Sequence, residues 1–340
     1  MTPILALRVS GLALAVLLTF HPAVAAQSWE PPLGIPAPPF GITQTAPASP
    51  SPWTSSVAGF YYVDASAAAS TDSGNPYGTP GLPRKTIPTS LPAGSVVELR
   101  GLYTRSQESP NGIVANGTVG SPVFIRGASK TNRPVATGSW QVSGSYLIVE
   151  NIEFAGTAPV KGIVLIRAPA QNIAVRHCEV RGTLNGGGLA AVSFSSARSQ
   201  NIVVYDNYIH DNGDVTVTYD QDVHGIEIGQ NQSYVWILDN EMARNSGDGL
   251  QANSNGSSHH LFLGRNLVHE NKQTGMCRRG TPTSSSPRTS RTGTARADPP
   301  PAPAWASSTG PRTSGSSSTR SGTATTGSWE PAIRTTASTA

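Results

Sequence analysis

Three successive segments of this chain repeat one pattern of apolar and Asn residues. They read NIVVYDNYIHDN, YVWILDNEMARN and HLFLGRNLVHEN, begin at Asn201, Tyr234 and His260, and align without a gap. Apolar residues at every second position predict a strand with one buried and one exposed side. A repeat of this kind is typical of a solenoid, in which each unit buries its apolar side by stacking on the next.

The overlay of the three segments places like residues in columns. The apolar columns are Ile202, Val235 and Leu261; Val204, Ile237 and Leu263; and Ile209, Met242 and Val268. Two further columns contain only Asn, namely Asn207, Asn240 and Asn266, and then Asn212, Asn245 and Asn271. Because a side-chain amide both donates and accepts, Asn at a fixed bend predicts a ladder in which each copy bonds to the next.

Weaker copies of the pattern, YLIVENIEF and NIAVRHCEV, precede the three clear ones. From Val149 the matched core position recurs after 26 residues at Val175, then after 29 at Val204, 33 at Ile237 and 26 at Leu263. A constant strand pattern with varying steps indicates loops of different size between similar strands.

These repeats resemble the right-handed parallel β-helix of the pectate lyase and related polysaccharide lyase superfamily, in which short strands stack with Asn ladders at the bends. The segments NPYGTPGLPRKTIP and LPAGSVVELRGLYT are similar to the N-terminal capping coil of secreted β-helix proteins. The resemblance implies carbohydrate chemistry. We expect an all-β, right-handed parallel β-helix over residues 59–275 that is incomplete at its C-terminal end.

The first 58 residues predict export followed by a linker. Residues 1–26 combine a positive end, an apolar run and the cleavage pattern AVA, which is typical of a signal peptide. Residues 27–58 are rich in Pro, which fixes φ and removes donors, so we expect a tether. The mature chain is expected to be secreted or to lie in the periplasm, without a membrane span.

Residues 276–340 differ from the rest of the chain because Ser, Thr, Arg, Pro, Gly and Ala dominate and Leu, Val and Asn are absent. Read one base out of register, this segment yields stretches such as QNLWFLFNEIRDCDYGI, which match the repeat. We therefore interpret it as a frameshifted, disordered tail. The alternative is a low-complexity tail in the true frame, and resequencing across the Gly275 codon distinguishes the two.

The basic balance of the chain comes from this tail. The formal net charge is +4, from 24 basic and 20 acidic residues; without the tail's eight Arg and two acidic residues, 16 basic and 18 acidic residues remain. The resulting net charge of −2 gives no reason to expect a nucleic acid partner. The expected partner is a polysaccharide, and the expected state is a monomer. Cys178 lies in a strand and Cys277 in the tail, so no disulfide is expected.

One loop is longer than its counterparts. Three residues separate Asn245 from Gly249 and Asn271 from Gly275, whereas twelve separate Asn212 from the matching Gly225. The insertion, GDVTVTYDQDVH, carries Asp220, Asp222 and His224 and is followed by Glu227. Loops on a rigid scaffold are where sites are usually built. The same alternation directs Glu227 outward, about 4.8 Å from Gln251 of the next coil, and the repeat aligns Asp248 with His224.

Two reactions suit this cluster. In β-elimination from an acidic sugar, a cation neutralises the uronate carboxylate and a base removes the adjacent proton. Ca2+ prefers six to eight oxygen ligands. The candidate Ca2+ ligands are Asp220, Asp222, Glu227 and Asp248. His224 is the candidate base, with Lys272 as the second choice.

Hydrolysis would instead use two carboxyl groups, about 5 Å apart for retention or about 6.5 to 9.5 Å apart for inversion. Glu227 paired with Asp222 or Asp248 suits that chemistry, so the candidate catalytic residues are His224, Glu227 and Asp222. A plain solvated turn is the alternative interpretation of the loop. The aromatic candidates for stacking on sugar rings are Tyr205, Tyr208, Tyr234 and Trp236.

Two functions remain open at this stage. The first is a lyase or hydrolase that acts on an acidic polysaccharide. The second is a non-catalytic β-helix that serves as a surface spacer or binds glycans, since fold does not imply function.

Overall fold

Alternating apolar residues produce strands throughout the described part of the chain. The computed structural model describes residues 29–105, 112–156, 163–192, 197–219, 221–253 and 257–279. The chain divides into two units, Met1–Gly293 and Thr294–Ala340, and every described residue lies in the first. These residues form 21 strands and no helix.

In chain order the strands are β1 Phe60–Val63, β2 Ser90–Pro92, β3 Val96–Leu99, β4 Leu102–Arg105, β5 Ile113–Asn116, β6 Val123–Arg126, β7 Val135–Gly138, β8 Trp140–Glu150, β9 Glu153–Ala155, β10 Val164–Arg176, β11 Glu179–Arg181, β12 Gly187–Val192, β13 Ser199–Tyr205, β14 Tyr208–His210, β15 His224–Ile228, β16 Gln232–Leu238, β17 Glu241–Ala243, β18 Leu250–Asn253, β19 His259–Gly264, β20 Leu267–His269 and β21 Met276–Arg279.

The strands stack into three faces, and every strand pair is parallel. Face 1 contains β2, β5, the first parts of β8 and β10, and then β12, β15, β18 and β21. Face 2 contains β1, β3, β6, the second parts of β8 and β10, and then β13, β16 and β19. Face 3 contains β4, β7, β9, β11, β14, β17 and β20. The predicted all-β parallel β-helix is confirmed.

The core lies inside the coils, where the predicted apolar columns meet in register. Ile202, Val235 and Leu261 are consecutive partners on face 2, as are Val204, Ile237 and Leu263, while Ile209, Met242 and Val268 are consecutive partners on face 3. All nine belong to one apolar cluster that extends through the stack. Burying each such side chain contributes about 1.5 to 3 kcal/mol, so the columns supply much of the stabilising free energy.

The Asn ladders form as predicted. Asn240 is buried and donates through Nδ2 to Asn266 Oδ1 at 3.1 Å and to the Val204 carbonyl at 2.9 Å. Its own Oδ1 accepts the backbone N–H and the side-chain amide of Asn207, at 3.1 and 2.9 Å. The second column repeats this arrangement, since Asn212 Nδ2 donates to Asn245 Oδ1 at 2.8 Å. Each ladder therefore pairs the polar groups of the bends inside the stack.

A residue with left-handed backbone precedes each Asn of the first ladder. The φ angles of Asp206, Asp239 and Arg265 are 52°, 58° and 52°. This conformation costs a non-Gly residue roughly 1 to 2 kcal/mol, but it turns the chain sharply from face 2 to face 3. The Arg265 guanidinium donates two hydrogen bonds of 2.5 and 2.7 Å to the Asp239 carboxylate, and its positive charge offsets the negative charge at the bend.

The outer side of face 2 is also apolar, and residues 29–49, here called the strap, cover it. The outward column contains Phe60, Val96, Phe124, Ile148, Ala174, Val203, Trp236 and Phe262. Phe40 of the strap is 3% exposed within this cluster, and the Trp236 indole donates to the Pro36 carbonyl at 2.8 Å. A Cβ on Gly41 would lie 2.6 Å from the Cβ of Ala174, so the strap backbone touches the sheet. The tether expected from the Pro content is instead packed against the coils over its described part.

Arg176 is the main polar link between the strap and the sheet. It is buried and donates to the carbonyls of Gly41, Ile42 and Gln44 at 3.0, 2.6 and 2.7 Å. It also pairs with the buried Glu150 carboxylate at 2.6 Å. Because a Pro-rich segment cannot join a sheet as a central strand, side chains such as Arg176 provide the donors that its carbonyls need.

The predicted chain ends are only partly described. The signal peptide, residues 1–26, and residues 280–340 of the tail lie outside the described residues. Strand β21 pairs with β18, so the stack extends four residues beyond the expected end at residue 275. In the described part of the chain, no helix is long and apolar enough to cross a membrane. Cys178 is buried in the core, and this burial raises the pKa of its thiol to about 12.

Replacing Asn240 by Ala should lower the free energy of unfolding by about 3 kcal/mol, because it removes the acceptor of the buried Asn207 backbone N–H and side-chain amide, and also the amide donor to the Val204 carbonyl. Urea denaturation measures this change. The matched control is Asn185→Ala on the exposed surface, which should change stability by less than about 0.5 kcal/mol. Equal effects of the two substitutions would show that the ladder does not stabilise the stack.

Replacing Arg176 by Met should lower the free energy of unfolding by about 3 to 5 kcal/mol. The substitution leaves the buried Glu150 carboxylate without its guanidinium partner and removes the donor to three strap carbonyls. The partly exposed pair Arg181–Glu153 supplies the control, and Arg181→Met should cost less than about 1 kcal/mol. Limited proteolysis should cut the strap faster only in Arg176→Met. An unchanged cleavage rate would mean that Arg176 does not hold the strap.

Candidate functional site

Loop lengths single out one edge of face 1. The bends from face 2 to face 3 are two residues long after β8, β10, β13, β16 and β19. By contrast, the connections from face 3 to face 1 after β11, β14, β17 and β20 have 5, 13, 6 and 6 residues. Variable loops therefore border face 1 and not the bend between faces 2 and 3, and such loops are where a scaffold carries sites.

The long loop after β14 is fastened to the coils by Lys272. Its Nζ donates to the carbonyls of Val217 and Tyr219 at 2.5 and 2.7 Å. The Asp214 carboxylate accepts from Thr216 within the same loop, at 2.8 and 2.6 Å. Lys272, the second choice as catalytic base, thus serves as a clamp for the loop. Residue 220, a candidate Ca2+ ligand in the sequence, lies outside the described residues.

His224 begins β15 and lies between two of the predicted site residues. It is 2% exposed, and its Nδ1 accepts the backbone N–H of Asp248 at 2.9 Å. This bond assigns the ring proton to Nε2, which faces Asp222 Oδ1 at 3.4 Å. A Cβ on Gly247 would lie 2.6 Å from the imidazole, so only Gly permits this close packing. The structure thus brings His224, Asp222 and Asp248 together, as the aligned repeats predict.

The Asp248 carboxylate is buried above His224, and each of its oxygens has a donor. Oδ1 accepts the Thr274 backbone N–H and hydroxyl at 3.0 and 2.6 Å, and Oδ2 accepts the Gln251 amide at 3.2 Å. Burial by itself would raise the pKa of Asp248, but these bonds favour the ionised form and the pKa is lowered overall. Asp248 is therefore an anion that orders the edge of face 1.

Glu227 lies on the outer side of face 1, apart from the buried cluster. It is partly exposed, and its register partner in the next coil is Gln251, as the alternation predicts. Gly187 of the preceding coil has no side chain, and a Cβ there would lie 3.0 Å from the Cβ of Glu227. The Gln251 amide links this outer column to the Asp248 carboxylate.

The described carboxylates do not form a calcium cage. In the described ranges, no group of three or more His, Cys, Asp or Glu side chains is arranged to hold a metal ion. Hydrogen-bond donors already engage the oxygens of Asp248, and Asp222 faces His224 and the Gln273 amide. Asp222, Glu227 and Asp248 therefore do not fit the predicted Ca2+ site, and we derive no step through this ion.

Sequence reasoning missed Arg167. It lies on face 1 two coils before Glu227, and its guanidinium donates to Gln141 Oε1 at 2.6 Å. The alternation in the segment VLIR could have revealed it. Val164 and Ile166 point into the core, so Arg167 points to the outer side of face 1. This early half of β10 escaped notice because the repeat is clear only in the later half.

Face 3 carries a second titratable cluster, which serves contacts between coils. The Tyr208 and His210 rings stack with centroids 3.8 Å apart, and the two ring nitrogens of His210 lie 2.5 Å from Asp211 Oδ2 and 3.3 Å from Glu179 Oε1. Arg244 donates to both Asp211 oxygens and to the Tyr208 hydroxyl. The Arg244 guanidinium holds the pKa of Asp211 at about 2. Tyr208 thus packs on its own chain, contrary to the expected sugar-stacking role.

Comparison with known proteins found similarity to solved structures. No protein-family model matches the sequence, and no curated protein matches it. Solved structures with similarity include pectate lyase Pel9A (14% identity, TM-score 0.43, covering 64% of this chain and 67% of that one), a rhamnogalacturonan lyase (16%, 0.38, 67% and 64%) and the GH136 lacto-N-biosidase from Eubacterium ramulus (16%, 0.37, 65% and 55%). The chain thus spans between about half and two thirds of these proteins. With identities of 14 to 16% and TM-scores of 0.37 to 0.43, these similarities assign neither a family nor a site to this chain.

Replacing Asp248 by Asn should flatten the dependence of stability on pH in acid. The folded-state pKa of Asp248 lies below its ordinary value of 3.8, so its contribution is complete above 3.8 and is lost as pH falls through the folded-state pKa. Denaturant titrations between pH 2.5 and 6 measure this loss. Thr274→Val keeps the carboxylate but removes its 2.6 Å donor, so the folded-state pKa should rise toward 3.8 and the loss of stability in acid should be smaller than in the wild type. Identical profiles for all three proteins would contradict the assignment.

Proposed function

We propose that this chain is an exported, carbohydrate-active β-helix protein that cleaves an acidic polysaccharide along face 1. The observation that carries the proposal is the edge of face 1, where the 13-residue loop after β14 brings Asp222 and His224 against Asp248 of the next coil, and where Glu227 points outward from the same strand as His224. Loops of varying length on a rigid sheet are the usual means of building such a site.

The geometry divides the roles among these residues. Neither ring nitrogen of His224 is free, because Nδ1 accepts from Asp248 and Nε2 faces Asp222. His224 is therefore assigned to positioning Asp222 and not to the role of base. The side chain of Asp222 is 45% exposed, so its carboxylate can reach a substrate proton. Asp222 and the partly exposed Glu227 are the two carboxyl groups from which we build acid–base cleavage of a glycosidic bond.

β-Elimination and hydrolysis both need a carboxylate that accepts a proton. They differ because only elimination requires the negative charge of the sugar to be neutralised. Elimination requires the uronate carboxylate to be neutralised so that the adjacent proton becomes acidic. Arg167, on the same face as Glu227, is a cation that can do this without a metal ion. Elimination leaves an unsaturated end, whereas hydrolysis leaves only a reducing end, so the products separate the two.

The second candidate function is a glycan-binding or spacer β-helix without catalysis. The specific observation in its favour is that Asp248 and His224 are both buried and engaged in bonds that order the loop. In this alternative, the cluster stabilises the edge of a binding face and Asp222 has no chemical role.

Substitution at the exposed carboxyl groups decides between these functions. The chain is incubated with polygalacturonate, alginate and chondroitin sulfate, with and without Ca2+, while unsaturated ends and new reducing ends are measured. Asp222→Asn and Glu227→Gln should each lower kcat by about 10² to 10⁴. His224→Gln should lower kcat less, because its role is positioning. Glu241→Gln on face 3 is the matched control and should retain full activity.

Two results would count against the proposal. Activity that survives both Asp222→Asn and Glu227→Gln would place the catalytic site elsewhere. Binding without cleavage on every polymer would instead favour the non-catalytic β-helix.

A further inference from the structure

A cluster of one Arg, two His and one Tyr side chain lies at the edge of face 2 that adjoins face 1. Arg198 precedes β13, Tyr234 lies in β16, and His259 and His260 begin β19, so the cluster crosses three coils. We call these four residues the Arg–His patch. Arg198, His259 and His260 are exposed, and Tyr234 is 41% exposed. The Asp222–His224 cluster lies at the other edge of face 1.

A chain of hydrogen bonds fixes the proton positions in this patch. Arg198 Nη1 lies 3.0 Å from His259 Nε2, and because a guanidinium can only donate, Nε2 must accept. The proton of a neutral His259 is therefore on Nδ1, which lies 2.7 Å from His260 Nδ1 and donates to it. The proton of His260 is then on Nε2. The chain of donors therefore ends at the N–H of His260 Nε2, from which an anion can accept a hydrogen bond.

The positive charge of the patch has no acidic counterpart among the residues that the structure describes. None of the ion pairs in that part of the chain joins a carboxylate to Arg198, His259 or His260. The neighbouring segments 193–196 and 254–256 read SFSS and SNG, and neither contains an acidic residue. Burial, together with Arg198 and His260, lowers the pKa of His259. The patch therefore holds the permanent positive charge of Arg198, which no carboxylate of the described residues pairs with.

Tyr234 adds an apolar surface to this charge. Its ring stacks on the His260 imidazole with centroids 4.5 Å apart and planes 20° apart. Both residues have left-handed backbone, with φ of 55° and 56°, at matching positions of successive coils. Tyr and His tolerate this conformation at a cost, and it holds the two rings together at the corner. Trp236, another predicted sugar-stacking residue, is covered by the strap, so Tyr234 is the aromatic surface that remains here.

We propose that the Arg–His patch binds the anionic substituent of a sugar, a carboxylate or a sulfate ester, while Tyr234 packs against the ring of that sugar. Arg198 supplies the permanent charge and His260 the terminal donor, and charge-assisted bonds of this kind are strong and directional. A sugar is favoured over a nucleic acid because the patch holds a single permanent cation, whereas a nucleic acid backbone is bound by several.

This inference rests on the proposed function only in taking the ligand to be a sugar polymer. Five-residue strand β15, which separates the Asp222 edge from the patch edge, spans about 16 Å. An oligosaccharide laid across face 1 can therefore meet the carboxyl groups at one edge and the patch at the other. The patch would bind the polymer and set its register, without contact with the bond that is cleaved.

The test compares ligand affinities by calorimetry for the whole chain and two patch variants. The probes are oligogalacturonate, a chondroitin sulfate oligosaccharide, a neutral malto-oligosaccharide and a single-stranded oligonucleotide. Arg198→Gln and His260→Gln should each weaken binding of the anionic sugars by about tenfold, the loss of one charge-assisted bond. Lys85→Gln removes one exposed charge at the N-terminal end of the stack and is the matched control, with unchanged affinity.

The probes also provide a second readout, which is the identity of the bound substituent. A preference for uronate or for sulfate identifies the substituent, and either preference supports the patch.

Three results would overturn the inference: equal affinity in Arg198→Gln, equally tight binding of the neutral oligosaccharide, or preference for the oligonucleotide. Failure of the proposed enzymatic function is distinguishable from these. Binding of anionic sugars that depends on Arg198 but leads to no cleavage would remove the enzyme and leave the patch. In an active enzyme, the patch variants should raise KM with kcat unchanged, whereas Asp222→Asn should lower kcat.

Discussion

The hydrogen bonds between the backbones of successive coils are the constraint on which this structure depends. Parallel strands in register place each side chain directly over its counterpart in the neighbouring coil, so a pattern along the chain becomes a column across the stack. The columns then stabilise the register that created them. Aliphatic columns bury their surface, and Asn columns pair the polar groups that the sharp bends would otherwise leave unsatisfied. Slipping one coil by a single residue would expose the apolar column and break the ladder together.

The three faces differ in what covers their outer sides. Face 2 is apolar outside and is closed by the strap through Phe40 and Arg176. Face 3 is covered by its own cross-coil contacts, in which Arg244, Asp211 and Tyr208 join successive coils. Face 1 carries the loops of varying length and the outward Glu227. The division leaves face 1 as the surface on which binding and chemistry can be built without disturbing the stack.

Much of this architecture could be predicted from the sequence, because the repeat reports directly on columns. The pairing of Glu227 with Gln251 and the closeness of Asp248 to His224 follow from the alignment of segments and are confirmed by the register and by the 2.9 Å bond to the imidazole. The strap could not be predicted, since its partners lie on the outer side of strands more than a hundred residues away, and Pro content alone indicates a linker.

The candidate site was predicted less well, for a physical reason. Spacing shows which residues are neighbours, but not where a proton lies or whether a carboxylate is already engaged. His224 is of a residue type that can act as a base, yet both of its ring nitrogens face partners within the protein. Asp248 is of a residue type that can bind a metal ion, yet its carboxylate accepts hydrogen bonds from Thr274 and Gln251. The Arg–His patch escaped notice because Arg198 reaches His259 across 61 residues of sequence.

Hydrogen exchange measured with and without an acidic oligosaccharide tests the central claim, that face 1 is the working surface, most directly. The account predicts slower exchange on binding in β15 and β18, in the loop between β14 and β15, and at the start of β19, with no change in face 3. Protection confined to face 3, or to strands beneath the strap, would contradict it.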